Sequence, residues 1–349
     1  MISVTTPPTR LRSDLRVFVT HNAEDLDAYY GRALPRLQAI ATVILNEHGH
    51  DLSTDELIQA ARGCDVIVSH RGVRADSKLF GALPNLAAFL RCAYDISDID
   101  MKAADEAGVL VARAPKSFIA STAELALGLL LSLARGISDA TVDYRAGRVP
   151  AQRMGMQLGG KTAGIIGFGD IASHLAPQLK ALGMVVIAYD PALIIESPDV
   201  RQVNLEELLA EADVVLPLAA VNDSTIDMIG AAELAAMKAG ALLVNVSRGE
   251  LLDEEAVGAA LDSGRLGGLA LDVGRAPDQR PSPALTSRPG VVATPHLGGL
   301  TPENADAQAS SSVEQVEALT RRKMPRRAMN PGTATRLSVL WNRDRADGY

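Results

Sequence analysis

The stretch Thr162-Ala-Gly-Ile-Ile-Gly-Phe-Gly-Asp-Ile-Ala172 carries the densest chemical possibilities in the chain. It reads as a strand, a tight turn and the start of a helix. Gly167 permits the turn, and Gly169 lets the main chain approach a pyrophosphate. The helix opening at Asp170 and Ile171 offers its first-turn N–H groups to phosphate oxygens. Ala172 stands where the third glycine of Gly-x-Gly-x-x-Gly would fall, adding one methyl at the helix–strand contact. A glycine-rich turn alone is a weak signal. It gains weight from Asp190, 21 residues beyond Gly169, which ends the next strand in Val-Val-Ile-Ala-Tyr-Asp. A carboxylate there accepts from the ribose hydroxyls of NAD and repels a 2′-phosphate, so the pattern favours NAD over NADP. The plain alternative is a loop aspartate at a strand end.

Three later strand ends add reactive side chains. Asn245-Val-Ser-Arg248-Gly-Glu250 follows one, and an arginine there can grip a carboxylate with both arms and polarise a neighbouring carbonyl. Out of context, a loop arginine is a solvated charge. Ala270-Leu-Asp272-Val ends the next strand, where Asp272 could accept from the nicotinamide amide or shape the local field. Ala293-Thr-Pro-His296-Leu-Gly298-Gly299 ends the last, and a histidine fixed behind a proline suits general acid–base work. The other histidines (His21, His48, His50, His70 and His174) read as structural.

These residues need a sheet to hold them. Short β-branched runs alternate with helical patterns, which implies parallel sheets with helices on both faces. The first series has strands at 15–20, 65–69, 87–91 and 109–112, with helical patterns at 53–62 and 100–107. Pro35 breaks or kinks the helical stretch after Asp25. One long helix is expected from Ser121 towards Tyr144. A second series follows, with strands at 162–166, 184–188, 213–216, 241–246, 268–271 and 291–293. Six strands suffice for a complete dinucleotide-binding fold. A helix over 303–322 comes last and returns to the first domain. The final 27 residues show little periodicity and read as extended.

Composition sets the outer limits. The chain has 349 residues, 47% hydrophobic and 22% charged, with 34 basic against 42 acidic residues. That is a two-domain length and a globular balance. A net charge of −8 argues against a nucleic-acid partner. Residues 321–349 hold eight Lys/Arg and two Asp, so this tail is +6 and the remainder −14. No recognition motif accompanies the tail, which reads as solvated or touching another subunit. Cys64 and Cys92 are too few for a disulfide scaffold and read as buried apolar residues, consistent with the cytoplasm. No clustered His/Cys spacing suggests a metal. The N-terminus shows no apolar leader, and the apolar run near 125–134 is about half a membrane span, so no membrane partner is expected.

The order of glycine turn, acidic strand end, Asn-Val-Ser-Arg-Gly, Ala-Leu-Asp-Val and Thr-Pro-His-Leu-Gly-Gly resembles the D-isomer-specific 2-hydroxyacid dehydrogenase family. The resemblance covers roughly residues 60–330. It includes Arg91-Cys-Ala-Tyr-Asp-Ile-Ser-Asp-Ile-Asp100 and the Ala123-Glu124 pair opening the interdomain helix. It implies an α/β chain of two Rossmann-like, doubly wound parallel-sheet domains. An NAD-binding domain over 116–299 would be inserted into a discontinuous, flavodoxin-like substrate domain over 1–115 and 300–349. Arg248 matches the substrate-orienting arginine and His296 the acid/base. Val246, Ser247, Asp272, Gly298 and Gly299 match positions that contact the cofactor. A small 2-hydroxy or 2-oxo acid is the implied substrate, NAD the cofactor and a second copy the implied partner in a homodimer.

The chain departs from that pattern at definite places. The family carries Asp-Val-Phe-x-x-Glu-Pro, whose glutamate bonds the acid/base histidine. Here the stretch is Asp272-Val-Gly-Arg-Ala-Pro277, one residue shorter and without the carboxylate. Asp278 is the nearest substitute. Without one, reduction should weaken and favour lower pH. Arg275 is a candidate for binding an anionic substrate. Ala93 and Asp95 replace two glycines of the substrate loop, and Asp95 would repel an anion unless paired with Arg71 or Arg91. Leu218 and Ala220 stand where His and Pro are common. These changes leave two other readings open: a catalytically weak, NAD-sensing interaction protein on the same fold, or an oxidoreductase for an atypical, even cationic, substrate.

Overall fold

A computed structural model describes residues 15–346. The reading of a leaderless N-terminus concerns residues 1–14, which lie outside the described residues. The chain divides into two compact units, Met1–Ser117 with Pro302–Tyr349, and Phe118–Thr301.

The first unit is built on five parallel strands: β1 (Arg16–Val19), β2 (Thr42–Leu45), β3 (Val66–Ser69), β4 (Ala88–Arg91) and β5 (Leu110–Arg113), in the order β2-β1-β3-β4-β5. Every residue of β3 and β4 is buried, as strands covered on both faces require. Alternation sends Val17 and Val19 to one face and Phe18 to the other. The Val17 face packs on the helices Pro302–Thr320 and Arg336–Ala346 through Val313, Val316, Leu319, Leu337 and Leu340. The opposite face packs on Leu57, Leu79 and Phe80.

Two expectations fail here. β2 lies at the sheet edge, only partly buried, and stands outside the expected series although its Val43-Ile44-Leu45 run is as apolar as those of the inner strands. The final residues are not extended: Arg336–Ala346 is a helix with Leu337 and Leu340 buried. Arg336 is no solvated tail charge, since its guanidinium donates to the carbonyls of Leu83 at 2.7 Å, Leu86 at 3.0 Å and Phe80 at 3.3 Å. Pro35 sits in the first turn of a short helix, Leu34–Gln38, where its missing N–H costs nothing.

The second unit holds seven parallel strands: β6 (Thr162–Ile166), β7 (Val185–Tyr189), β8 (Val200–Gln202), β9 (Val214–Pro217), β10 (Ala241–Asn245), β11 (Leu266–Leu271) and β12 (Val291–Ala293). Their order is β12-β11-β10-β9-β6-β7-β8. The direction of winding reverses between β6 and β9, which makes the carboxyl ends of these strands the natural ligand crevice. The seventh strand, β8, is a three-residue edge strand with only Val200 buried, too short to show a period. The single long helix expected from Ser121 is two helices, Ile119–Arg135 and Ile137–Arg145, bent by 71° at a break where Gly136 takes φ +64°. Among the described residues, no single helix is long and apolar enough to cross a membrane.

Candidate active site

The glycine turn joins β6 to the helix Asp170–Ala181. Gly167 takes φ +86°, and a Cβ there would lie 2.6 Å from the Ala219 Cα. Only glycine fits both demands. Gly169 caps the helix without a side chain, and a Cβ on it would meet nothing within 4 Å. The helix then opens on exposed Asp170 and half-buried Ile171. Asp190, just after β7, closes over the turn. Its Oδ2 accepts from the Phe168 N–H at 2.8 Å, and its Oδ1 accepts from Ala192 and Leu193. A carboxylate has about four acceptor positions, so one remains on Oδ2 for a ribose hydroxyl. This open-faced helix end, with a glycine cradle and a spare carboxylate lone pair, fits a dinucleotide.

After β10 the chain turns tightly around Asn245, whose side chain is wholly buried. Its amide donates to the Arg248 carbonyl at 2.8 Å, and its oxygen accepts from the Ser247 N–H at 3.0 Å. Val246 is buried beneath the turn. The Ser247 hydroxyl donates to the Ala219 carbonyl at 3.2 Å. Ala219 thus touches both the Gly167 turn and the Ser247 turn, joining two parts of the site through main-chain atoms. No reactive side chain marks it in the sequence. Arg248 is half-buried, with one guanidinium nitrogen donating to the Ser247 carbonyl at 2.8 Å.

Asp272, after β11, is buried and accepts three hydrogen bonds. Its Oδ1 accepts from the Thr294 hydroxyl and the Leu297 N–H, both at 2.6 Å, and its Oδ2 accepts from the Gly298 N–H at 2.8 Å. Its work is therefore to shape the loop that carries His296. A Cβ on Gly298 would sit 3.0 Å from the Asp272 Oδ2. Gly299 continues the turn, its carbonyl accepting from the Thr301 N–H at 3.1 Å. His296 is half-buried and takes φ +62°, unusual outside glycine. Its Nδ1 lies 3.2 Å from the Asp278 carbonyl oxygen.

That last contact corrects the expectation for Asp278. Its main-chain carbonyl faces the histidine, while its carboxylate points to Arg280 at 3.5 Å. The loop around it is pinned at its base. A Cβ on Gly249 would lie 2.3 Å from the Gly274 carbonyl carbon, so the two main chains touch. Arg275 is not free to meet an anionic substrate: its guanidinium holds the Asp227 carboxylate and the carbonyls of Glu250 and Leu252.

In the first unit, Arg91 is buried and donates to the carbonyls of His70, Arg71 and Val73. Burial lowers its guanidinium to about 10, with Asp98 and Asp95 offsetting part of that shift. Burial pushes the thiols up, Cys64 to about 11 and Cys92 to about 12, which leaves both unreactive. Among the described residues, Asp25, Asp51 and His70 bring metal-ligating atoms within 4.8 Å of one another. The Asn22 amide already donates to Asp51 there.

Residues 127–298 match the family model described as the NAD binding domain of D-isomer specific 2-hydroxyacid dehydrogenases. The chain is 36% identical over 279 residues to the hydroxypyruvate reductase of Thermotoga maritima, covering 79% of this chain and 89% of that protein. It is 34% identical over 284 residues to the D-3-phosphoglycerate dehydrogenase of Methanocaldococcus jannaschii, covering 80% of this chain and 54% of that protein. It therefore spans about half the length of that dehydrogenase. The TT0316 protein from Thermus thermophilus superimposes with a TM-score of 0.81 at 30% identity, over 90% of this chain and 100% of that one. The D-lactate dehydrogenase of Escherichia coli shares the fold, with a TM-score of 0.77 at 23% identity over 90% of this chain and 99% of that one.

Proposed function

The chain belongs to the D-isomer-specific 2-hydroxyacid dehydrogenase family, and from that premise we propose that it is an NAD-dependent oxidoreductase interconverting a D-2-hydroxy acid and its 2-oxo acid. One observation carries the reading. Arg248, Asp272 and His296 follow the carboxyl ends of three adjacent strands, β10, β11 and β12, in the sheet whose β6 and β7 present the glycine turn and Asp190. Unit 118–301 is the cofactor domain in this reading, and the unit formed by 1–117 and 302–349 receives the acid.

Gly167, Gly169, Asp170 and Ile171 would hold the pyrophosphate, and Asp190 the adenosine ribose. Val246, Ser247, Gly298 and Gly299 would line the nicotinamide end. NADH, when bound, supplies the hydride that reduces C2. The chain supplies charge and protons. Arg248 pairs its planar fork with the substrate carboxylate and the adjoining carbonyl oxygen, drawing electron density from C2. Protonated His296 gives its proton to that oxygen as the carbon is reduced. In the reverse direction the neutral ring takes the hydroxyl proton. Asp272 acts at one remove, keeping the His296 loop in shape.

NADH oxidation with glyoxylate, hydroxypyruvate, pyruvate and phosphohydroxypyruvate tests the reading. Turnover of at least one is expected, with His296→Ala lowering kcat by about 100-fold or more. NADH binding without turnover of any of them between about pH 5 and 9 would sink the proposal and leave an NAD-sensing role. A homodimer belongs to the same reading. Exposed apolar side chains along 137–154, among them Val149 (87% exposed) and Met154, support it. A monomeric mass by light scattering would remove that part. Cytoplasmic residence is also proposed, supported by two free thiols.

A further inference from the structure

Among the described residues His296 has no carboxylate partner, yet its ring is not loose. Among the described residues its Nδ1 has one hydrogen-bond partner, the main-chain carbonyl of Asp278 at 3.2 Å. A carbonyl oxygen only accepts, so the bond requires hydrogen on Nδ1. In the neutral ring this leaves the lone pair on Nε2.

The carbonyl is aimed by an unusual piece of main chain. Asp278 and Gln279 both take left-handed conformations, at φ +60° and +56°. The loop closes on itself through the Gly274 N–H to the Gln279 carbonyl at 2.9 Å, and the Ala276 N–H to the Arg280 carbonyl at 3.0 Å. Its base presses Gly274 against Gly249, beside Arg248, and Arg275 ties it to the carbonyls of Glu250 and Leu252. One end of this strut meets the arginine turn and the other meets the histidine. Two consecutive non-glycine residues at positive φ are costly and persist only where their surroundings demand them.

We propose that the Asp278 carbonyl is the positioning group for His296, replacing a carboxylate by main chain and reserving Nε2 for proton exchange with substrate. This rests on the acid/base reading above. It gives the 274–281 loop a definite task, to carry a carbonyl direction rather than a side-chain charge. The Asp278 carboxylate has no part in it.

The test is histidine-selective ¹⁵N NMR of the full chain, with His296→Asn identifying the signal, alongside steady-state reduction of hydroxypyruvate. Asp278→Asn and Asp278→Gly accept the left-handed conformation. In both, His296 should keep the Nδ1–H tautomer of the parent chain. Asp278→Val resists that conformation and should turn the carbonyl away. It should mix the tautomers and lower kcat by about tenfold, the weight of one ordinary hydrogen bond, with the KM for NADH unchanged. An Nε2–H tautomer in Asp278→Asn overturns the proposal, because the carboxylate would then be the partner. A folded Asp278→Val with parental tautomer and kcat overturns it too. Should that variant not fold, the tautomers of the Asn and Gly variants still decide. Parental turnover in His296→Asn would instead overturn the acid/base reading, leaving the tautomer measurement intact.

Discussion

Gly167 is held by two independent demands, its positive φ and the 2.6 Å that would separate a Cβ from Ala219. Gly167→Ala should therefore weaken NADH binding at least about tenfold, since misplacing this turn costs on the order of 1–3 kcal/mol of strain; titration of NADH fluorescence measures it. A second residue-scale effect lies in the first unit. Burial, reinforced by neighbouring His70, holds the His21 imidazole down at about 3 from 6.5. The unfolded chain takes up that proton below its ordinary value and the native chain does not. The resulting stability is thus complete above pH 6.5 and is lost as pH falls towards 3. Burial lowers His70 in the same sense, whereas Asp25, raised by burial, acts in the opposite sense. Urea unfolding should show stability falling by at most about 1.4 kcal/mol per pH unit for His21, and His21→Phe should flatten that slope. An unflattened slope would assign the effect elsewhere. At this scale the sequence shows Arg248, Asp272 and His296 plainly, because their side chains carry chemistry and sit at strand ends. It cannot show that a main-chain carbonyl faces His296, nor that Arg275 is engaged, because those partners meet only through folding.

Buried strands such as β3 and β4 announce themselves as short apolar runs, whereas the edge strand β8, half-wet and three residues long, does not; β2 carries the same signal in Val43-Ile44-Leu45 and differs from them only in its partly wet edge position. The C-terminal helix Arg336–Ala346 escapes for another reason. Its core-facing positions, Leu337, Leu340 and Trp341, form a narrow stripe among charges, although that stripe helps close one face of the first sheet. Leu340 is 1% exposed, so Leu340→Ala should cost about 2–5 kcal/mol in urea unfolding. A loss below about 0.5 kcal/mol, usual for surface sites, would mean that this helix is not part of the core. Gly136 shows how local chemistry overrides periodicity: the apolar pattern runs on past it, but its left-handed conformation ends one helix before the next begins.

The two units differ in how they are assembled from the chain. Unit 118–301 is continuous, and among the described residues its two core clusters draw on none outside it. The other unit buries Val17 and Val19 beneath residues some 300 positions away, and Tyr30 shares a hydrogen bond of 2.8 Å with Ser312. A fragment of residues 118–301 should therefore fold and bind NADH by itself, while residues 1–117 alone should not, lacking the 302–320 and 336–346 helices over one sheet face. Circular dichroism and NADH titration of both fragments check this; a folded 1–117 fragment would refute it. Ser117 donates to the Asn304 side-chain oxygen at 2.6 Å across 187 positions. That bond joins the points where the chain leaves the divided unit and comes back. Such a chain has a seam. The host's severed ends lie side by side, so a short turn could close them, and a guest of unrelated make could be sewn in at the same stitch without unpicking the host's sheet. Cofactor preference is then a property of a replaceable cassette, open to change by exchange of the whole piece as well as by substitution within it.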